Sequence, residues 1–389
     1  MDFIPDECLC HVFSYLGTSD KIRSELVCHR WHRLLVNSYK SMVHLNIAEF
    51  MESTYSTYFQ QDNLSFVPTV IGLLSHFGAN LASLSMGAKW FKVSEEIAEA
   101  IAQYCTALIY LDLSCSIINT SLQAIIDQLA LQLISLDLND SHWTKSEYMD
   151  EFLKNLTSME RLHTLNLRCV RSTDFDWLPT LPVSLQHLNM NGVARLEPDE
   201  MSAFLLWHKG LKSLRLSSFQ RINQNTVQLI GQSLSLSILE LSNVHRDDLD
   251  LSVLSTLLDV EELYLNQNNS VTCDAMSEIC QSLQSLRVLN VMNCRRFKDY
   301  SQLMHCRALE SLTLGQTPHL IDSDLESVAM NGSLVNFIAT KVNSITDRGV
   351  VALIELCPLQ EISVSFCPNV SDKSLLLAIQ RKLSHICFA

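Results

Sequence analysis

The 389-residue sequence predicts an α/β solenoid, a curved stack of short parallel strands with helices on its outer side, preceded by a small three-helix bundle over residues 1–41. Three observations predict it. One apolar spacing recurs along residues 81–388 at a near-constant interval. The segments between recurrences carry helical spacing, and residues 1–41 lack the recurrence but hold short amphipathic stretches. Hydrophobic residues make up 47% and charged residues 18%, so a large packed interior is expected rather than disorder.

The recurring unit is L-x-x-L-x-L, from Leu81-Leu84-Met86 and Leu108-Leu111-Leu113 through Leu359-Ile362-Val364 to Leu383-Ile386-Phe388. Successive first positions lie 23 to 29 residues apart, within the interval of about 20 to 29 that marks a leucine-rich repeat. The alternation at the end of each motif suits a half-buried strand, and Val350, Leu353, Ile354 and Leu356 after Thr346-Asp347-Arg348-Gly349 suit a helix. Neither element buries its apolar face alone, so the units must stack. Parallel strands sit about 4.8 Å apart and helices about 8 to 10 Å apart. The mismatch bends the stack into a horseshoe with a concave sheet. Met42-Leu45-Ile47 reads as a first, degenerate strand, separated from Leu81 by an irregular region over residues 42–80.

The late repeats resemble the cysteine-containing type of leucine-rich repeat, in which a Cys follows the strand and an Ile-Thr-Asp-like stretch opens the helix. Cys294 and Cys367 take the Cys position, and Asn268 takes it in an Asn version. Phe219, Thr317 and Val342 occupy the same place elsewhere, while Cys115 and Cys169 fall one residue early. Asp174-Phe175-Asp176-Trp177-Leu178-Pro179 predicts extended chain in place of a helix, since Pro179 and Pro182 resist one, with Trp177 in the core.

At the N-terminus, Pro5 suits the first turn of a helix, Asp6 and Glu7 favour its positive end, and Gly17 is placed to cap its C-terminus. Leu9, Val12, Phe13 and Leu16 make an apolar stripe along that helix. Thr18 or Ser19 caps a second helix over Asp20–Val27, and Trp31, Leu34 and Leu35 give a third its apolar side. A bundle this small cannot bury enough surface to stand alone, so it must lean on the repeats, on a partner, or on both.

Ile4-Pro5, Glu7, Leu9, Phe13-Ser14-Tyr15-Leu16, Asp20 and Val27-Cys28-His29-Arg30-Trp31 follow in order the pattern of an F-box, which this stretch closely resembles. Ile4 stands where Leu is commoner before the Pro. With repeats following, the chain is similar to an F-box protein of the leucine-rich-repeat class. The resemblance implies docking on the Skp adaptor of a cullin-based ubiquitin ligase, with the repeats recruiting a protein substrate. It assigns Ile4, Pro5, Leu9, Phe13, Leu16, Val27, Cys28 and Trp31 to the adaptor face or the bundle core without dividing them between the two. The domains are then an F-box over residues 1–41 and a leucine-rich-repeat solenoid over residues 42–389. The alternative is a non-proteolytic scaffold or inhibitor anchored through the same motif.

The substrate face is expected on the concave sheet, where the residue before each third apolar position forms a column. It reads Asp112, Asp137, Asn166, Asn189, Arg215, Glu240, Tyr264 and Asn290, then Thr313, Ile338 and Ser363. Lys212, Arg215 and Arg168 suggest a basic zone beside an acidic one from Glu240, Glu261 and Glu262. Tyr55, Tyr58, Phe59 and Phe66 in the irregular region, and His142-Trp143, read first as buried aromatics, with contacts to a partner as the alternative, and Arg295-Arg296-Phe297-Lys298 reads as a solvated basic turn.

A net charge of −14 argues against nucleic acid as a partner. No apolar run approaches the roughly 18 residues of a membrane span, and the acidic start broken by Pro5 is unlike a secretory signal. Thirteen scattered cysteines suggest free thiols in a reducing compartment, cytoplasm or nucleus. Cys28-His29 with His32 lacks a second ligand pair, so no metal is expected. No phosphate-binding loop or supported nucleophile points to an enzyme or a cofactor.

Overall fold

A computed structural model describes residues 4–39, 42–55, 66–89, 91–172, 174–233 and 236–388. Backbone contacts divide the chain into two compact units, Met1–Leu185 and Gln186–Ala389.

The first unit opens with α1 (Asp6–Ser14), α2 (Thr18–Glu25) and α3 (His29–Tyr39), then β1 (His44–Asn46), α4 (Ile47–Tyr55) and α5 (Val67–Phe77). There follow β2 (Ser83–Ser85), β3 (Lys92–Val93), α6 (Glu95–Tyr104), β4 (Tyr110–Asp112), β5 (Ile117–Ile118), α7 (Gln123–Leu129), β6 (Ser135–Asp137), β7 (His142–Trp143), α8 (Ser146–Asn155) and β8 (Thr164–Asn166). Strands β1, β2, β4, β6 and β8 form a parallel sheet in that order, with the central leucines in register: Leu45 on Leu84, Leu84 on Leu111, Leu111 on Leu136 and Leu136 on Leu165. The degenerate motif at Met42 is therefore a true first strand. A second small sheet, β3-β5-β7, follows the turns, and it absorbs His142-Trp143, whose indole is buried. Tyr58 and Phe59 lie outside the described residues.

The second unit carries β9 (His187–Asn189), α9 (Pro198–Trp207), β10 (Ser213–Arg215), α10 (Gln224–Gly231), β11 (Ile238–Glu240), β12 (Glu262–Tyr264), α11 (Cys273–Ser282) and β13 (Val288–Asn290). It continues with β14 (Ser311–Gly315), α12 (Asp322–Ala329), β15 (Asn336–Thr340), α13 (Asp347–Leu356), β16 (Glu361–Ser365), α14 (Asp372–Gln380) and β17 (His385–Cys387). Its nine strands pair in chain order, all parallel, each on the same register.

Not every repeat keeps its helix. Short 3-10 turns stand in at Leu178–Thr180, Ser252–Thr256 and Tyr300–His305. Over Asp174–Pro179 no α-helix forms, as expected, but the stretch ends in one such turn rather than staying extended, because Pro179 fits near the turn's start, where no amide partner is needed. Trp177 is in the core, its indole N–H donating to the Asp174 carbonyl at 3.0 Å.

The turns after β4, β6 and β8 to β16 repeat one backbone conformation. The second residue past the third apolar position has positive φ: Cys115 at 58°, Cys169 at 59°, Gly192 at 72°, Asn243 at 56° and Lys341 at 56° are examples. Cys115 and Cys169, one residue ahead of the Cys position, thus fill the left-handed place. That conformation costs about 1–2 kcal/mol for a non-glycine residue. It is offset by aiming the amide at the next repeat, as with Asn243 N–H to the Asn266 carbonyl at 2.7 Å and Gln267 N–H to the Met292 carbonyl at 2.8 Å. One residue later, the Cys or Asn side chain closes the other side of the turn. Asn268 Nδ2 donates to the Leu241 carbonyl at 2.9 Å, and Cys294 Sγ to that of Leu265 at 3.0 Å. Burial pushes the Cys294 thiol up to about 12, against the pull of the Asn268 and Gln267 amides, so it remains a neutral donor.

Helix starts also link neighbouring repeats. Thr346 caps α13 toward Arg348 N–H, while Asp322 at the start of α12 accepts both the Thr346 amide at 2.7 Å and its hydroxyl at 2.6 Å. Asp347 does the same for Ser371, at 2.8 and 2.5 Å. The residues that open one helix therefore fix the start of the next.

Candidate protein-binding surfaces

In the N-terminal bundle, α1 and α2 both pack on α3. Leu9, Phe13, Leu34 and Leu35 are buried, and the Trp31 ring meets Phe13 edge-on at 5.0 Å. Arg30 at the start of α3 binds Asp6 Oδ1 at 2.8 and 2.6 Å and the Ile4 carbonyl at 2.5 Å, which anchors the Ile4-Pro5-Asp6 entry. Gly17, expected to cap α1, instead precedes α2 in extended backbone. The first helix closes through Tyr15 N–H to Val12 and Leu16 N–H to Phe13, so no left-handed residue is required there.

This packing divides the residues that the sequence left together. Leu9 and Phe13 are core, and Trp31 and Leu16 are half-buried beside it. Ile4, Pro5, Val27 and Cys28 are exposed, the last two in the turn before α3. Val12, read as part of the apolar stripe, is 56% exposed, because α1 presses only its Leu9–Phe13 edge on α3. Tyr15 and Leu26, at 77% and 86% exposed, complete the exposed apolar set and were not singled out from the sequence. The available signal was an apolar residue standing off the stripe.

The bundle leans on the first repeat. α2 packs on α4, and Tyr39 meets Phe77 of α5 edge-on at 4.6 Å. Glu25 lies 3.2 Å from His32 Nδ1 and 3.7 Å from His76 Nε2, joining α2, α3 and α5. Burial, with Glu25 beside it, drives the Tyr39 phenol well above its ordinary value and keeps it neutral.

On the open face of the sheets, all eight column residues are half-buried. Five of them turn the chain. Asp112, Asp137, Asn166, Asn189 and Asn290 each accept the amide two residues ahead, at 2.8 to 3.2 Å. Within the first unit, Asp112 also accepts Ser85 Oγ at 2.6 Å and Asp137 accepts Asn166 Nδ2 at 2.9 Å.

Arg215, Glu240 and Tyr264 form a cluster in the second unit. Arg215 Nη1 donates to Glu240 Oε2 at 3.1 Å, its Nη2 lies 3.7 Å from Glu262, and its guanidinium sits 5.2 Å from the Tyr264 ring centre. Burial first, then the bond to Glu262, raises the Tyr264 phenol, which donates to Glu262 at 2.8 Å. The expected separation into basic and acidic zones is corrected. Arg215 is neutralised by Glu240 and Glu262, Arg287 by Glu261 and Glu310, and Arg168 belongs to the first unit. Register explains this, since residues 23 to 25 apart in sequence lie side by side.

The basic stretch at Arg295 is a turn with Phe297 buried beneath it, and Arg296 donates to the Asp247 carbonyl. Cys280 is held as a thiol by its hydrogen bond with Cys306 and by burial. Among the described residues, no group of three His, Cys, Asp or Glu side chains is assembled for a metal, and no helix is long and apolar enough to cross a membrane.

Residues 1–42 match the F-box-like family. A chain in the crystal structure of the Rad7 and Elc1 complex of yeast has the same fold, with a TM-score of 0.60 at 17% identity, over 91% of this chain and 94% of that one.

Proposed function

We propose that this chain, an F-box protein of the leucine-rich-repeat class, works as the substrate-recruiting subunit of a cullin-based ubiquitin ligase. The observation that carries the proposal is the exposed apolar set Ile4, Val12, Tyr15, Leu26 and Val27 on a bundle whose other side rests on the first repeat. Apolar residues so exposed on so small a bundle are best accounted for by a partner that covers them. The F-box-like match supports an adaptor of the Skp type as that partner, and the yeast neighbour, solved with Elc1, supports an adaptor-bound assembly. The open sheet face would hold a protein substrate. The cluster Arg215, Glu240, Tyr264 and Glu262 offers paired charges and an aromatic for specificity rather than one strong field. In this reading the chain has no chemistry of its own, binds neither nucleic acid nor membrane, and acts in the cytoplasm or nucleus.

The test is purification from cells under proteasome inhibition, with proximity labelling, of the wild-type chain and a Val12→Glu, Leu26→Glu variant. The wild type is expected to bring down the Skp adaptor and cullin and to label a protein that accumulates on its depletion. The variant should lose the adaptor while keeping the labelled protein. Adaptor without cullin, and a labelled protein whose level never changes, would replace this reading with a non-proteolytic scaffold.

A further inference from the structure

The outer layer of the second unit carries an apolar ridge that neither the strand face nor the bundle accounts for. Met304, Met330, Leu356 and Ile379 are 45%, 78%, 52% and 53% exposed. They belong to four consecutive repeats, each three to five residues before the next first leucine, at Leu309, Leu334, Leu359 and Leu383. Each lies within one residue of the C-terminal end of its outer element: the 3-10 turn Tyr300–His305, then α12, α13 and α14. These elements pack on one another in that order, and Asn331 Nδ2 bonds the Met304 carbonyl at 3.0 Å, so the four side chains follow one rim. One repeat earlier the corresponding residues are polar, Gln281 and Ser282.

Charge also marks the rim. In the second unit Arg215, Arg221, Arg246, Arg287 and Arg348 each pair with a carboxylate, whereas Arg195, Arg295 and Arg296, away from the rim, have no carboxylate pair among the described residues. Arg307, three residues past Met304, and Arg381 and Lys382, just past Ile379, have no carboxylate partner among the described residues. Residues 300–308 and 373–385 contain no Asp or Glu, although the chain as a whole is strongly acidic. The ridge is thus apolar along its length and cationic at both ends, with Glu355 beside its middle.

We propose that this rim docks an acidic amphipathic helix of a partner protein. Neighbouring outer elements sit about 8 to 10 Å apart, and seven residues of α-helix rise about 10.5 Å. A helix laid across the repeats would set one apolar residue of every heptad on each of the four ridge side chains. Carboxylates on its flanks would meet Arg307, Arg381 and Lys382. The site is separate from the adaptor-facing bundle and from the open sheet face, and it stands whether or not the chain serves a ligase.

The test uses the full chain and a labelled synthetic helix with leucines at heptad spacing and glutamate on its other positions, beside a peptide of the same composition with the leucines redistributed. Fluorescence anisotropy should show the heptad peptide binding and the redistributed one not. Met330→Gln with Leu356→Gln should weaken binding by about tenfold or more. Arg307→Glu with Arg381→Glu and Lys382→Glu should weaken it and flatten its salt dependence. Thermal unfolding unchanged in both variants confirms that they fold. Equal binding of the two peptides, no binding, or binding indifferent to the Gln pair overturns the proposal. So does sedimentation showing that the chain self-associates through Met330 and Leu356, which would make a second copy the occupant.

Discussion

In the repeat that opens at Leu286, the motif residues Leu286, Leu289 and Val291 are fully buried, whereas across α1 and α2 only Leu9 and Phe13 are buried. Both regions are apolar in sequence. An inner repeat has a like neighbour on each side to cover what it exposes, and its stability is a sum of such interfaces. The N-terminal bundle has the first repeat on one side and nothing of its own chain, among the described residues, over Ile4, Val12, Tyr15, Leu26 and Val27. In the proposed function, this exposed apolar surface is the face that the adaptor covers.

Substitutions can break or sharpen this contrast. The largest effect is expected from Phe337→Ala, since Phe337 is fully buried between Leu312 and Ile362 in register, at about 3–5 kcal/mol by urea unfolding. Leu26→Ala should change stability by no more than about 0.5 kcal/mol while reducing adaptor capture. Comparable losses from the two would mean that Leu26 is a structural residue and the contrast false.

Next is Gly315→Ala. Gly315 has φ of +154°, and a Cβ there would meet the Thr340 carbonyl at 2.6 Å, so a loss of about 1–3 kcal/mol is expected. Asn268→Ala should cost about 1–3 kcal/mol by leaving the buried Leu241 carbonyl without its side-chain donor, and Cys294→Ala nearer 1 kcal/mol. An equal cost for the two would show that the ladder position is set by volume rather than by hydrogen bonding.

The smallest effect is a pH dependence in the first unit. Burial raises the Asp137 carboxyl, with the Asp112 charge adding and hydrogen bonds from Asn139 and Asn166 opposing. The folded state then binds the proton more tightly than the unfolded chain, so stability falls as pH rises through the folded value. Asp137→Asn should raise the urea midpoint slightly at neutral pH, and the gap should close once pH falls below about 4. A gap that persists in acid would assign the gain to something other than the charge.

Much of the array was legible because its signals are local and periodic. The strand register, Trp177 in the core and the Cys or Asn place after the strand each follow from apolar spacing or from one side chain reaching one carbonyl. The 3-10 turn at Tyr300–His305 was not legible, since a five- or six-residue turn and a short helix carry similar apolar patterns. Nor were the candidate surfaces. Asp112 and Asn290 look like free polar side chains in sequence, yet each is partly committed to the backbone two residues on.

The sequence by itself determined the repeat, its register and the presence of a small N-terminal bundle, because burying a leucine every few residues admits one way of stacking. Only the tertiary structure decided which apolar residues stay uncovered and which charges stay unpaired. Those depend on partners a whole repeat away: Arg215 is quenched by a residue 25 positions on, while Arg307 and Lys382, near Met304 and Ile379 in sequence, have no carboxylate pair among the described residues.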